Sequence, residues 1–169
     1  MRKRTRAREI ALQILYLIDI SEDDYQVAWE KFWAVESPEV SEEAHPVKSA
    51  DGGAAKPLFN RVKEFSQQLV KGTIENLKSL DDVIESFTEN WRLSRMAVVE
   101  RNILRLATYE LLFCPEIPPI VSINEAIDLA KKYSGLEAGK FVNGILDKIR
   151  ISKLQATSSK LQADSNPEV

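Results

Sequence analysis

Apolar side chains recur at intervals of three and four along most of the chain, starting with Ala7, Ile10, Ala11, Ile14, Leu15 and Ile18. That spacing is the stripe of one helix face, and strand-like alternation is almost absent. A second stripe over residues 25 to 36 places Ala28, Trp29, Phe32 and Trp33 at helical spacing. The pattern stops at residues 37 to 57, SPEVSEEAHPVKSADGGAAKP, whose three prolines, two glycines and few large apolar groups cannot offset the entropy of ordering the segment. A flexible loop is expected there. Helical spacing resumes with Pro57 placed for a first turn, and Leu58, Val62, Phe65, Leu69, Ile74 and Leu77 fit one long helix. Residues 81 to 91 continue it on Val83, Ile84, Phe87 and Trp91.

The segment RMAVVERNILRLATYELLF, residues 95 to 113, is apolar around most of its circumference and predicts the central, most buried helix. It must end before Pro115, and CPEIPP reads as a rigid turn. Ser122 followed by Glu125 has the spacing of a capping box that opens the next helix on Ile123, Ala126, Ile127 and Ala130, and Gly135 is placed to close it. A last helix over residues 138 to 151 buries Phe141, Ile145, Leu146 and Ile149. The expectation is an all-α protein: one helical domain over residues 1–151 that contains the loop, and a polar, disordered tail over residues 152–169.

Charge changes this picture in one respect. The 169 residues carry a net charge of −3, but ten acids against two bases over residues 19 to 51 give that stretch −8, which leaves +5 on the rest. The body of the chain is therefore mildly basic, and a polyanionic partner fits it. Cys114 is the only cysteine, the N-terminus lacks the order of a secretory signal, and no apolar run reaches the roughly 18 residues of a spanning helix. A cytoplasmic protein with no membrane contact is expected.

Candidate chemistry is sparse. The one histidine, His45, falls in the expected loop, and Cys114 has no Cys or His at ligand spacing, so neither a metal site nor a Cys/His nucleophile is expected. No phosphate-cradling glycine loop is present. Carboxylate neighbours such as Asp81 and Asp82 read as helix-terminal or solvated groups rather than an acid/base pair. The chain reads as a binding protein without cofactor, not as an enzyme.

The basic head is the exception. Arg2, Lys3, Arg4, Arg6 and Arg8 lie at a helix N-terminus, where the dipole disfavours cations, so another gain must keep them. Arginine forks suit phosphate, although a merely solubilising end is the simpler alternative. A second cluster, Lys131, Lys132, Lys140, Lys148 and Arg150 with Tyr133 and Phe141, combines cations with rings in the way single-stranded RNA requires. Phe141 shares the period of Ile145 and Ile149 and so also fits the core; Lys140 does not.

Four blocks in order, RARE with IALQILY at the head, ERNILRLATYELLF, IVSINEAIDLAKKYSG and KFVNGILDKI, resemble the NusB family of bacterial transcription antitermination factors. The resemblance implies about seven helices in two small packed bundles, and no catalysis. It implies binding of the boxA element of nascent rRNA leader transcripts together with NusE, a small-subunit ribosomal protein, within a complex of other Nus factors and RNA polymerase. By position it implies an RNA face of the arginine head, here Arg4, Arg6 and Arg8, with Glu137, Lys140 and Phe141, and a NusE face that includes Tyr16 and Glu100. Two alternatives remain: a relative of the NusB-like domain of rRNA cytosine methyltransferases, and a helical protein-protein adaptor that binds no RNA. The chain holds no methyl-donor domain, which favours a stand-alone module over the first.

Overall fold

A computed structural model describes residues 2–35, 58–89 and 91–164, and among these the chain forms seven α-helices and one short 3-10 turn. The loop expected at 37–57 lies outside the described residues. The helices divide into two compact units, Met1–Glu75 and Asn76–Val169.

The first unit comprises α1 (Arg2–Ser21), α2 (Tyr25–Val35) and α3 (Leu58–Glu75). The α1 stripe is buried as its period requires, with Ala7, Ile10, Ala11, Ile14 and Leu15 fully enclosed. Its main partner is α3, which contributes Val62, Leu69 and Val70. Inside that helix Ser66 and Thr73 are buried without cost because their hydroxyls donate to the Lys63 and Leu69 carbonyls. On α2, Phe32 and Trp33 meet edge to face, and Phe59 of α3 packs edge-on against Trp33.

The second unit comprises α4 (Leu77–Ser86), the 3-10 turn (Leu93–Arg95), α5 (Val98–Phe113), α6 (Pro119–Ser134) and α7 (Leu136–Asp164). As its composition predicts, α5 is the centre: its residues 102 to 111 are buried except Arg105, and it packs against α4, α6 and α7. Arg105 reaches α4 with a two-pronged ion pair to Asp81, at 2.7 and 2.8 Å.

Several boundaries differ from the sequence expectation. The long helix expected through Leu77 breaks at Asn76, where the backbone leaves the helical region and α4 starts anew. Ser122 opens no helix: α6 starts three residues earlier with Pro119 at its first position, and the buried Ser122 hydroxyl donates to Glu110 of α5 at 2.7 Å. Gly135 does close α6, at φ +98, with its N–H donating to the Ala130 and Lys131 carbonyls. The last helix continues past Ile151 to Asp164. Thr157, Ser158 and Ser159 bond back to carbonyls four residues earlier, so a stretch with no apolar stripe still satisfies its polar groups as helix.

Next to Gly135, α7 approaches α6 closely at Gly139, where an added Cβ would lie 2.9 Å from Cγ and 3.3 Å from Cε of Lys131. A Gly139→Val variant should therefore unfold at lower urea concentration, with a loss of about 2 kcal/mol from overpacking.

Candidate functional site

The basic head is the start of α1, and the structure separates its members by depth. Lys3 and Arg4 are exposed, Arg6 is half-buried and bonds Glu9 at 3.1 Å, and Arg8 is only 2% exposed. Helical spacing stacks Arg4 and Arg8 one turn apart, and both guanidinium groups lie over the ring of Phe65 on α3, at 5.2 and 5.5 Å from its centroid. Part of the gain that keeps cations at this helix end is therefore structural. Arg8, expected on an RNA face, is instead enclosed in the first unit, because it lies one residue after the buried Ala7 and three before the buried Ala11, on the same side of the helix. Among the head residues whose side chains are described, those that a ligand can reach are Lys3, Arg4 and Arg6. Arg2 belongs to the same first turn.

In the second unit the expected group lies at the head of α7. Glu137 and Lys140 are exposed and paired at 2.9 Å, an i, i+3 contact on one helix face. An exposed pair of this kind is worth at most about 1 kcal/mol, so Lys140 can exchange its carboxylate for a phosphate at little cost. Phe141 is half-buried, as its double character implies: its period directs it inward, yet one side stays open. Of the wider lysine cluster, Arg150 is held by Asp147 at 2.7 Å and Lys132 lies 5.3 Å over the ring of Tyr133. Lys131 packs its stem against Gly139.

A residue not singled out from sequence completes this group. Trp91, expected on the apolar face of a helix, stands instead in the connection after α4, 56% exposed, its ring 6.3 Å from that of Phe141. Local polar groups end the helix there: the Thr88 hydroxyl donates to the Trp91 carbonyl at 2.7 Å, and the Leu93 N–H donates to the Glu85 carboxylate at 3.1 Å. The Thr-Glu-Asn run before Trp91 is the only sequence signal of that stop. Between these elements runs an open groove of about 300 Å³ lined by Phe87, Trp91, Lys140, Phe141 and Lys148, among others.

The residues expected to face a protein partner lie apart from these groups in sequence. Tyr16 is 37% exposed on α1, beside the exposed Leu17 and Ile20. Glu100 is half-buried in the first turn of α5, where a carboxylate complements the helix dipole. Among the described residues no group of three His, Cys, Asp or Glu side chains could hold a metal, and Cys114 is buried. His45 lies outside the described residues.

Removal of Arg8 should act on folding. Arg8→Ala is expected to lower stability by about 2–4 kcal/mol in thermal or urea unfolding, because both the packing of its stem and the stacking of its guanidinium on Phe65 disappear, whereas Arg4→Ala should cost less than about 1 kcal/mol.

With this geometry in place, comparison with known proteins is direct. The NusB family matches residues 5–150. The transcription antitermination protein NusB of Anaeromyxobacter sp. strain Fw109-5 is 44% identical over 147 residues, which cover 87% of this chain and 89% of that one. The NusB of Thermotoga maritima is 50% identical over 102 residues, 60% of this chain and 70% of that one. A solved structure of T. maritima NusB superposes with a TM-score of 0.69 at 36% identity, over 87% of this chain and 89% of that one. A crystal structure of antitermination factors NusB and NusE in complex with dsRNA superposes with a TM-score of 0.70 at 28% identity, over 90% of this chain and 98% of that one.

Proposed function

The chain belongs to the NusB family, and from that premise we propose that it is a non-enzymatic transcription antitermination factor that binds RNA together with NusE. Its RNA target is the single-stranded boxA element of nascent rRNA leader transcripts. Bound there with NusE, it joins the other Nus factors on RNA polymerase and suppresses termination in rRNA operons. A transcription factor of this kind works in the cytoplasm, and no helix among the described residues is long and apolar enough to cross a membrane.

The observation that carries the RNA reading is the placing of accessible cations beside aromatic rings: Lys3, Arg4 and the half-buried Arg6 at the head of α1, with Arg4 over Phe65, and Lys140 beside Phe141 at the head of α7. Cations hold phosphates without regard to sequence, and rings accept unpaired bases. A double-stranded target would leave the rings without a base to stack on, which favours the single strand. Glu137 supports selectivity: its carboxylate neutralises Lys140 until a phosphate replaces it. Tyr16 and Glu100 are assigned to NusE, because Tyr16 offers a ring with a polar tip beside exposed apolar neighbours and Glu100 offers charge.

Two measurements test this. Titration of a boxA-type RNA against an Arg4→Ala, Arg6→Ala double variant should show weaker binding and a log–log salt slope smaller by roughly 0.7 for each phosphate no longer held. Binding as tight as wild type at low salt would remove the head from the interface. For the protein partner, Tyr16→Ala with Glu100→Ala should weaken NusE binding about tenfold or more, as removal of an aromatic anchor and a charge does, while binding of RNA alone stays unchanged.

A further inference from the structure

The groove beside Phe141 extends the site beyond the residues named so far. We propose that it is a base-binding cleft, in which Trp91 serves as a second stacking platform for one unpaired nucleobase of the bound RNA and Lys148 holds the adjoining phosphate; this rests on the RNA reading given above. Three observations carry it.

The first is the tryptophan itself. Exposing more than half of an indole to water forgoes a large apolar burial, and Trp91 does so in a connection whose backbone is pinned at both ends, by Thr88 onto its own carbonyl and by Glu85 onto Leu93. The ring is thus held open in place, at little ordering cost on binding.

The second is the shape beside it. Trp91 and Phe141 lie 6.3 Å apart with their planes tilted by 54°, so they form a splayed notch rather than a closed stack. The groove's volume of about 300 Å³ is at the lower end of the range for small-ligand clefts. At Gly144 the floor bears no side chain, and an added Cβ there would meet nothing within 4 Å, so a planar group can lie against the helix.

The third is charge. Lys148, two turns beyond Lys140 on α7, lines this groove, is exposed and has no carboxylate within ion-pair distance among the described residues. The same lysine lines a neighbouring groove of about 420 Å³ with Phe87, Ser152 and Gln155, which offers the strand a polar path onward along α7. Glu89 borders both grooves; it repels phosphate there and can accept a hydrogen bond from the exocyclic amine of a base. A ring-lined notch with a free cation on one wall and an acceptor on another suits a nucleobase with its phosphate better than it suits an apolar peptide.

The test is titration of the full chain, with NusE, against a short single-stranded boxA-type RNA, monitored by affinity and by tryptophan fluorescence. Trp91→Ala should weaken binding about tenfold, as loss of a stacking platform does, and Trp91→Phe should restore most of it. Lys148→Ala should lower the salt slope by roughly 0.7. RNA should quench wild-type fluorescence and leave Trp91→Phe unquenched, and one abasic position in the RNA should reproduce the Trp91→Ala loss. Tight wild-type binding with no quench and no loss in either variant would overturn the cleft and leave the RNA reading intact. Failure of the wild type to bind RNA at low salt would overturn both.

Discussion

Enclosure of α5 is the constraint on which the second unit depends. A helix that is apolar around most of its circumference cannot stand at a surface, so it needs a neighbour on every side, and α4, α6 and α7 supply them. Two of the polar groups that go inside with it are paired to a neighbouring helix: Arg105 with Asp81 of α4, and Glu110 with Ser122 of α6. Those two contacts also fix the angular positions of the flanking helices. The head of α7, where Lys140 and Phe141 lie, is then located by the turn at Gly135 and the close approach at Gly139. The proposed RNA face at this helix head thus rests on packing remote from it.

In the first unit the same helix carries both packing and charge, and the helix register divides the labour. Positions 7, 10, 11, 14 and 15 face α3 and α2, while positions 3 and 4 precede the stripe and face water. Arg8 falls on the buried side, and Phe65 makes that tolerable by presenting a ring to its guanidinium. Arg4, one turn nearer the N-terminus, borders the same ring while remaining exposed. One ring thereby holds a cation that solvent reaches and one that it does not.

Much of this was legible in the sequence. The all-helical architecture, the two stripes of the first unit, the dominance of α5 and the glycine that ends α6 all follow from period and composition, which act locally. What escaped depends on particular side-chain contacts, some between distant residues and some within a turn or two of the chain. Ser122 and Glu125 have the spacing of a cap, but Pro119 starts the helix first and Glu110 claims the serine. Arg8 looks like any member of a basic run until α3 is brought alongside. Trp91 has the period of a core residue, and only the bonds made by Thr88 and Glu85 show that the helix has already ended. The helical reach of α7 to Asp164 was hidden by a polar composition that supports a helix through its own hydroxyls as readily as it supports a tail.

The contact between Arg8 and Phe65 also bears on the order of events in synthesis. The stripe on α1 is made first, yet its principal partner α3 comes only after the whole of α2 and the segment that follows. Until Phe65 has emerged, the first helix has a hydrophobic face and a buried-type arginine with nothing to cover either, and a solitary helix of its length is marginal in water. Closing so long a loop is entropically costly and makes this pairing a late step. The basic head of α1 therefore takes its final surroundings only after Phe65, 57 residues beyond Arg8 (65 − 8), has been made.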